Sequence, residues 1–199
     1  MHSLTTQQAT ALGEAVHGLW QLPAIKATYQ KRGVLFSLED NMDYWFNKGK
    51  QVMAEDYQPS DEDILKTRVR TAGVAKYEFE KSGVRFMLVD IGGQRNERKK
   101  WLYQFDEVTA VIWVTALNHY NSVLFEDESR NAMHDAIEAF DMYVNRVEFY
   151  DSEIILFLNK SDLFTECIEN KISLSVCFSK EAGWCVYVCI IRSVYCILS

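Results

Sequence analysis

No long basic stretch occurs in this chain, and its formal net charge is −7 with a pI near 5.2. Non-specific nucleic-acid binding, which needs a positive face, is therefore excluded as an expectation. A single bound nucleotide is not excluded, because phosphate sites draw on local backbone amides and a few cations. Cysteine is missing until Cys167; the others are Cys177, Cys185, Cys189 and Cys196. An odd set confined to one end is no disulfide framework, and a reducing, cytosolic setting fits it. Met1-His2-Ser3-Leu4 does not read as a secretory leader. His2 stands where N-myristoylation requires glycine, so no lipidation signal is expected. Repeats and low-complexity linkers are absent. The histidines do not cluster at metal-ligand spacing, and no nucleophile comes with an orienting base.

What is present suffices for a core. Hydrophobic residues make up 48% of the 199 and charged residues 25%, ordinary for a soluble globular protein. The length suits one domain or two small ones. Residues 183–199 read GWCVYVCIIRSVYCILS, an apolar run slightly short for a membrane span and interrupted by Arg192. The expectation there is an unmatched apolar tail that aggregates where exposed.

The first sixty residues carry a helical pattern, with Leu12, Val16 and Leu19 at helical spacing. Pro23 suits a first turn and Gly33 a stop. Asp40 is placed to cap a helix carrying Met42, Trp45 and Phe46, and Ser60 to cap one ending near Lys66. The period then changes. Residues 75–80 alternate apolar and charged, Lys81-Ser82-Gly83 turns the chain, and residues 84–90 form a second strand. VTAVIWVTAL (108–117) and EIILFL (153–158) are nearly all apolar, as central strands covered on both faces would be. Met133, Ile137, Phe140 and Val144 place a helix between them. Strand, helix, strand implies parallel pairing and an α/β fold. Ligands in such folds bind beyond the carboxyl ends of the strands.

Four segments could carry chemistry. In Asp90-Ile91-Gly92-Gly93-Gln94, the aspartate is poised to hold magnesium through water. The glycines let a backbone amide approach a phosphate, and the Gln94 carboxamide can both accept from and donate to a water. The same letters also serve as a plain strand-ending turn. Asn159-Lys160-Ser161-Asp162 follows an apolar strand. Asp162 can accept two N–H groups from a purine edge, which selects guanine over adenine. Asn159 can bond the other edge, while the Lys160 stem packs on the ring. The bland alternative is a polar turn. In Leu65-Lys66-Thr67-Arg68-Val69-Arg70-Thr71, Thr71 offers a magnesium-binding hydroxyl and Arg68 a cation for a transferring phosphoryl group; a solvated basic segment reads equally. Arg95 to Trp101, with Arg98, Lys99 and Lys100 between, reads either as a partner-facing surface or as a solvated helix with Trp101 packed inward.

In order and spacing, LKTRVRTAG, DIGGQRNERKKW and ILFLNKSD resemble the alpha subunits of heterotrimeric G proteins. Upstream, LWQLPAIKATYQKRG, LEDNMDYW and YQPSDEDIL are similar to the closing helices of the all-helical domain inserted in that family. The likeness runs from about Trp20 to about Phe178. It implies a partial, Ras-like P-loop-GTPase sheet with flanking helices, plus a remnant of the inserted helical domain. The implied divisions are 1–64 for the helical part, 65–178 for an incomplete GTPase domain and 179–199 for the tail.

The resemblance also implies roles. Asp40 and Asn41 match the helical-domain loop facing the nucleotide, and Leu65 and Lys66 match positions beside ribose and base. Arg68 matches the built-in arginine finger, Thr71 the magnesium-binding threonine and Asp90 the aspartate that holds magnesium through water. Gly93 matches the amide that senses the terminal phosphate, and Gln94 the glutamine that orients the attacking water. Asn159, Lys160 and Asp162 match the guanine-reading motif. Residues 95–101 match the segment that meets the beta-gamma dimer in the GDP state and effectors in the GTP state. Arg98 matches a residue that pairs with a glutamate; here the position is Asp135, one methylene shorter. The implied activity is magnesium-dependent GTP hydrolysis in receptor signalling at the cytoplasmic face of the plasma membrane. No G-x-x-x-x-G-K-[ST] phosphate loop occurs in the 199 residues. Two other readings stay open: a non-enzymatic protein that binds beta-gamma or effector through residues 95–101, and an unrelated α/β nucleotide protein.

Overall fold

The computed structural model describes residues 4–105 and 108–178. The tail expectation, on residues 179–199, lies outside the described residues. The chain divides into two compact units, Met1–Val69 and Arg70–Ser199.

The first unit is helical in its described residues: α1 (Thr6–Trp20), α2 (Pro23–Tyr29), α3 (Met42–Val52) and α4 (Asp61–Lys66). Thr5 and Gln8 form a reciprocal capping box on α1. Pro23 occupies the opening of α2, where its missing N–H costs nothing. Helices α1 and α3 cross where both are glycine, and a Cβ on Gly13 would lie 2.7 Å from the Gly49 carbonyl oxygen. Beside the crossing, the Trp20 ring packs against Tyr29 and Phe46 with centroids 5.1 Å away, and its N–H donates to Asn47 Oδ1 at 2.9 Å. The expected Asp40 cap is not the one used. Asn41 is the N-cap of α3, without a side-chain cap bond among the described residues; its amide nitrogen donates to the Lys66 carbonyl.

Ser60 caps α4 as its position implied, reciprocated by Asp63. Asp63 is only 2% exposed. It receives Lys48 Nζ at 2.5 and 2.6 Å, Tyr44 Oη at 2.7 Å and the Ser60 N–H and Oγ at 2.7 Å each. Burial pushes the Asp63 carboxyl up, but these donors outweigh burial and hold it well below the usual carboxylate range. A carboxylate depressed on folding adds stability above its unfolded pKa, and that stability fades as pH falls toward the folded value. Acid titration of the chain, followed by Trp fluorescence and helicity, should show the helical unit weakening from about pH 4 downward. Asp63→Asn should flatten that slope.

In the second unit, β1 (Val74–Lys81) and β2 (Val84–Ile91) form an antiparallel hairpin. Ser82 and Gly83 take positive φ at its turn. A 3-10 helix (Arg98–Gln104) follows, then β3 (Ala110–Ala116), β4 (Val123–Leu124), β5 (Asp127–Asn131), α5 (Ala132–Val144), β6 (Glu153–Asn159) and α6 (Ser161–Glu169). Strands β3 and β6 pair in parallel, from Ala110↔Glu153 to Ala116↔Asn159. This is the α/β arrangement that the alternation implied. The small β4–β5 ladder was not anticipated. Among the described residues the strands make three two-stranded sheets, not one continuous sheet.

Among the described residues of this unit, two clusters form the core. Trp101, Phe105 and Phe149 gather Ile91, Val111, Trp113, Tyr143 and Ile154. Tyr120, Met133 and Cys177 gather Ile137 and Phe164. Asn131 caps α5 by accepting from the Met133 and His134 N–H groups, and its amide donates to the Tyr120 carbonyl at 2.8 Å. The expectation that β3 and β6 are covered on both faces needs correction. Val111, Trp113 and Ile154 are packed, while the alternating Ile112 and Val114 are 53% and 57% exposed, as are Ile155 and Phe157 in similar degree. The described helices cover one face only, so the period-2 pattern appears in burial although both faces carry apolar residues. Val114→Thr should therefore change unfolding free energy by less than about 0.5 kcal/mol. Met133→Ala should cost about 2–5 kcal/mol, read by denaturant titration.

Candidate functional site

The expected site residues fall into three local groups. In the helical unit, Asn41 is tied to the Lys66 carbonyl. Arg68 Nε lies 3.4 Å from Glu39 Oε1, with both side chains largely in solvent. Leu65 is 85% exposed. The loop that carries Asp40 and the end of α4 are thus joined within this unit.

The second group lies at the carboxyl end of β2. Thr71 Oγ1 donates to Asp90 Oδ2 at 3.4 Å, a long bond between two exposed oxygens. Hard oxygen donors at such spacing suit magnesium, directly for the hydroxyl and through water for the carboxylate. Gly92 has no room for a side chain: a Cβ there would sit 2.6 Å from the Thr71 carbonyl oxygen and 2.9 Å from Glu97 Cγ. Gly92→Ala is expected to push residues 71–73 away from the strand end and raise amide exchange there. Around Gly93, by contrast, a Cβ would meet no atom of the described residues within 4 Å. That open space at a backbone amide is what a phosphate oxygen requires. Gln94 is half-buried and its carbonyl accepts the Glu97 and Arg98 N–H groups, turning the chain into the 3-10 helix.

That helix is held from below. Asp135, 3% exposed on α5, receives Arg98 Nη2 at 2.5 Å and lies 3.5 Å from Arg95 Nε. Arg98 Nε also donates to the Gly93 carbonyl at 3.3 Å. The shorter acid therefore still makes the pair, with a second arginine on its other oxygen. Trp101 is in the core, not on the surface: it is 8% exposed and its N–H donates to the Gly92 carbonyl at 2.8 Å. Its ring meets Trp113 and Tyr143 at 5.8 and 4.7 Å. Lys100 is paired with Glu97 at 2.6 Å. Arg95, Asn96, Lys99, Lys100, Leu102 and Tyr103 are the exposed residues of this segment.

Third, Asn159 ends β6 and Ser161 opens α6, with Lys160 between them in the left-handed region at φ 59 and ψ 44. Single non-glycine residues in that region are uncommon and concentrate at functional sites. Here the conformation breaks the strand so that Asn159 and Asp162, both exposed, stand at the carboxyl end of the parallel pair.

A family model for the G-protein alpha subunit matches residues 2–184. The chain belongs to the G-protein alpha subunit family. The guanine nucleotide-binding protein alpha-4 subunit of Dictyostelium discoideum is 41% identical over 86% of this chain and 50% of its own length. The G(o) subunit alpha of Locusta migratoria is 41% identical over 85% of the chain and 47% of its own. The alpha-7 subunit of Caenorhabditis briggsae is 36% identical over 92% and 51%. This alpha-subunit chain spans about half the length of the relatives it matches. Its mixed helix-and-strand second unit with a parallel pair fits the family's fold. Among the described residues, no helix is long and apolar enough to cross a membrane.

Proposed function

We propose that these residues serve a GTP-hydrolysing switch that binds guanine nucleotide with magnesium, as the family relationship and the local geometry support. The observation that carries the reading is the pairing of Thr71 with Asp90 beside the open Gly93 amide. Bound magnesium would neutralise charge on the phosphates. Thr71 would hold it by its hydroxyl and Asp90 through water. Gln94 positions the attacking water and Arg68 stabilises charge on the transferring phosphoryl group. Asp162 accepts from the guanine edge, Asn159 bonds the opposite edge and the Lys160 stem covers the ring. Asp40, Asn41, Leu65 and Lys66 are the nucleotide-binding positions that the first unit would supply, and residues 1–64 belong to the inserted helical domain.

For the whole protein, the partners in this reading are a beta-gamma dimer, a receptor and an effector, met at the cytoplasmic face of the plasma membrane. The outward side chains Arg95, Lys99 and Lys100 form the contact surface of residues 95–101, with the half-buried Arg98 between them and exposed Tyr103 beside them, while Trp101 and Asp135 support it from within. Titration with a fluorescent guanine nucleotide tests the reading. Residues 1–199 contain no phosphate loop and should bind weakly or not at all. A chimera that supplies that loop upstream should bind GTP tightly, selectively over ATP and with a magnesium requirement. Submicromolar binding by residues 1–199, or adenine preference in the chimera, would overturn it.

A further inference from the structure

Glu97 sits in the middle of a run of charges, RNERKK, that reads as solvated surface, yet it is 8% exposed. A carboxylate taken out of water needs donors, and among the described residues Glu97 has two. The Gly73 backbone N–H donates to Glu97 Oε2 at 3.0 Å and Lys100 Nζ lies 2.6 Å from the same oxygen. Gly73 is two residues beyond Thr71, and Glu97 is three beyond Gln94. Two further contacts make this a junction. The Gly92 N–H donates to the Gly73 carbonyl at 3.3 Å, so residue 73 is gripped at both its N–H and its C=O. The Glu97 stem also closes over Gly92, leaving a Cβ there only 2.9 Å of space. Gly73 itself takes φ +82, a conformation that suits glycine and turns its N–H inward.

We propose that Glu97 is a positioning residue: its carboxylate fastens residues 71–73 to residues 92–97, so that Thr71 and the Gly93-Gln94 turn keep one spacing. The tie stands on the geometry alone; what it serves rests on the function proposed above. In that reading Thr71 and Gln94 act on the two ends of one reacting phosphate. An error of about 1 Å in their separation would cost on the order of 10²-fold in rate. Glu97 touches neither substrate nor metal and acts only through these segments. Lys100 neutralises the buried carboxylate, and Arg70 adds positive potential from the segment before β1.

Site-resolved amide hydrogen exchange on the full 199-residue chain, without nucleotide, tests the tie. Glu97→Ala should speed exchange at Gly73 by about tenfold or more while α5 keeps its protection. Glu97→Gln keeps an oxygen that can accept the Gly73 N–H, so it should restore protection to within about threefold of the parent. Unchanged exchange at Gly73 in Glu97→Ala would overturn the proposal. If the alanine variant unfolds globally, Glu97→Gln decides: a folded chain with a protected Gly73 supports the tie, and a folded chain with fast exchange at Gly73 contradicts it. A second readout separates the tie from its service. In the loop-supplied chimera, Glu97→Ala should lower kcat at least tenfold with nucleotide affinity kept within threefold, and Glu97→Gln should recover most of the rate. Loss of affinity in proportion to rate would contradict a positioning role. Failure of the parent chimera to bind nucleotide would instead count against the proposed function, with the exchange result still standing.

Discussion

Arg68→Ala in a loop-supplied chain should slow single-turnover GTP hydrolysis by about 10³–10⁵, arginines of this kind being grouped at that size, with this family itself a reference case. Nucleotide affinity should change by only a few-fold. The reason is where the charge appears: a guanidinium aimed at the transferring phosphoryl group gains most as the transition state forms and little in the ground state. The side chain is well suited to such a role, being largely in solvent and, among the described residues, ion-paired with Glu39 at 3.4 Å. Exposed pairs of that type are weak and easily exchanged for another anion. Gln94→Leu should give a loss of the same character, since leucine fills the space but cannot orient water. A fall in affinity that accounts for the whole rate loss would remove both residues from the reaction.

Asp162→Asn should lower affinity for guanine nucleotides by roughly 10²–10⁴, the worth of two hydrogen bonds to a charged acceptor. It should raise affinity for xanthine nucleotides, whose edge offers a carbonyl where guanine offers an amino group. Asparagine supplies the N–H that such an edge accepts. Competition between GDP and xanthosine diphosphate, measured on parent and variant, checks it. The two predictions separate cleanly because one concerns rate at constant binding and the other binding at constant chemistry. A variant that lost both nucleotides equally would show that Asp162 supports the fold of α6, not base recognition.

Much of this was legible because local rules and tertiary structure agree. Ser60 followed by Asp63 announces a capping box, and the box is there. Lys81-Ser82-Gly83 announces a tight turn, and positive φ at Ser82 and Gly83 supplies it. The parallel β3–β6 pair with α5 between followed from strand-helix-strand alternation. What escaped depended on partners distant in sequence. Trp101 and Glu97 lie in one charged run, and nothing local says which of its members turn inward. That is settled by Gly73, Gly92 and Trp113, which approach from other segments. The burial of Asp63 was equally hidden, because it depends on Lys48 reaching it from α3. The bare face of β3 and β6 escaped for the opposite reason. Their apolar letters describe a strand suited to cover on both sides, and the described residues provide cover on one.

The most direct trial of the account is a crystal structure of the loop-supplied chain with magnesium and a non-hydrolysable GTP analogue. The account predicts Arg68 and Gln94 at the terminal phosphate, Thr71 on the metal with Asp90 behind a metal-bound water, and Asp162 on the guanine edge of the same nucleotide. A structure that placed Arg68, Gln94 and Asp162 around different cavities, or seated the nucleotide away from them, would contradict it.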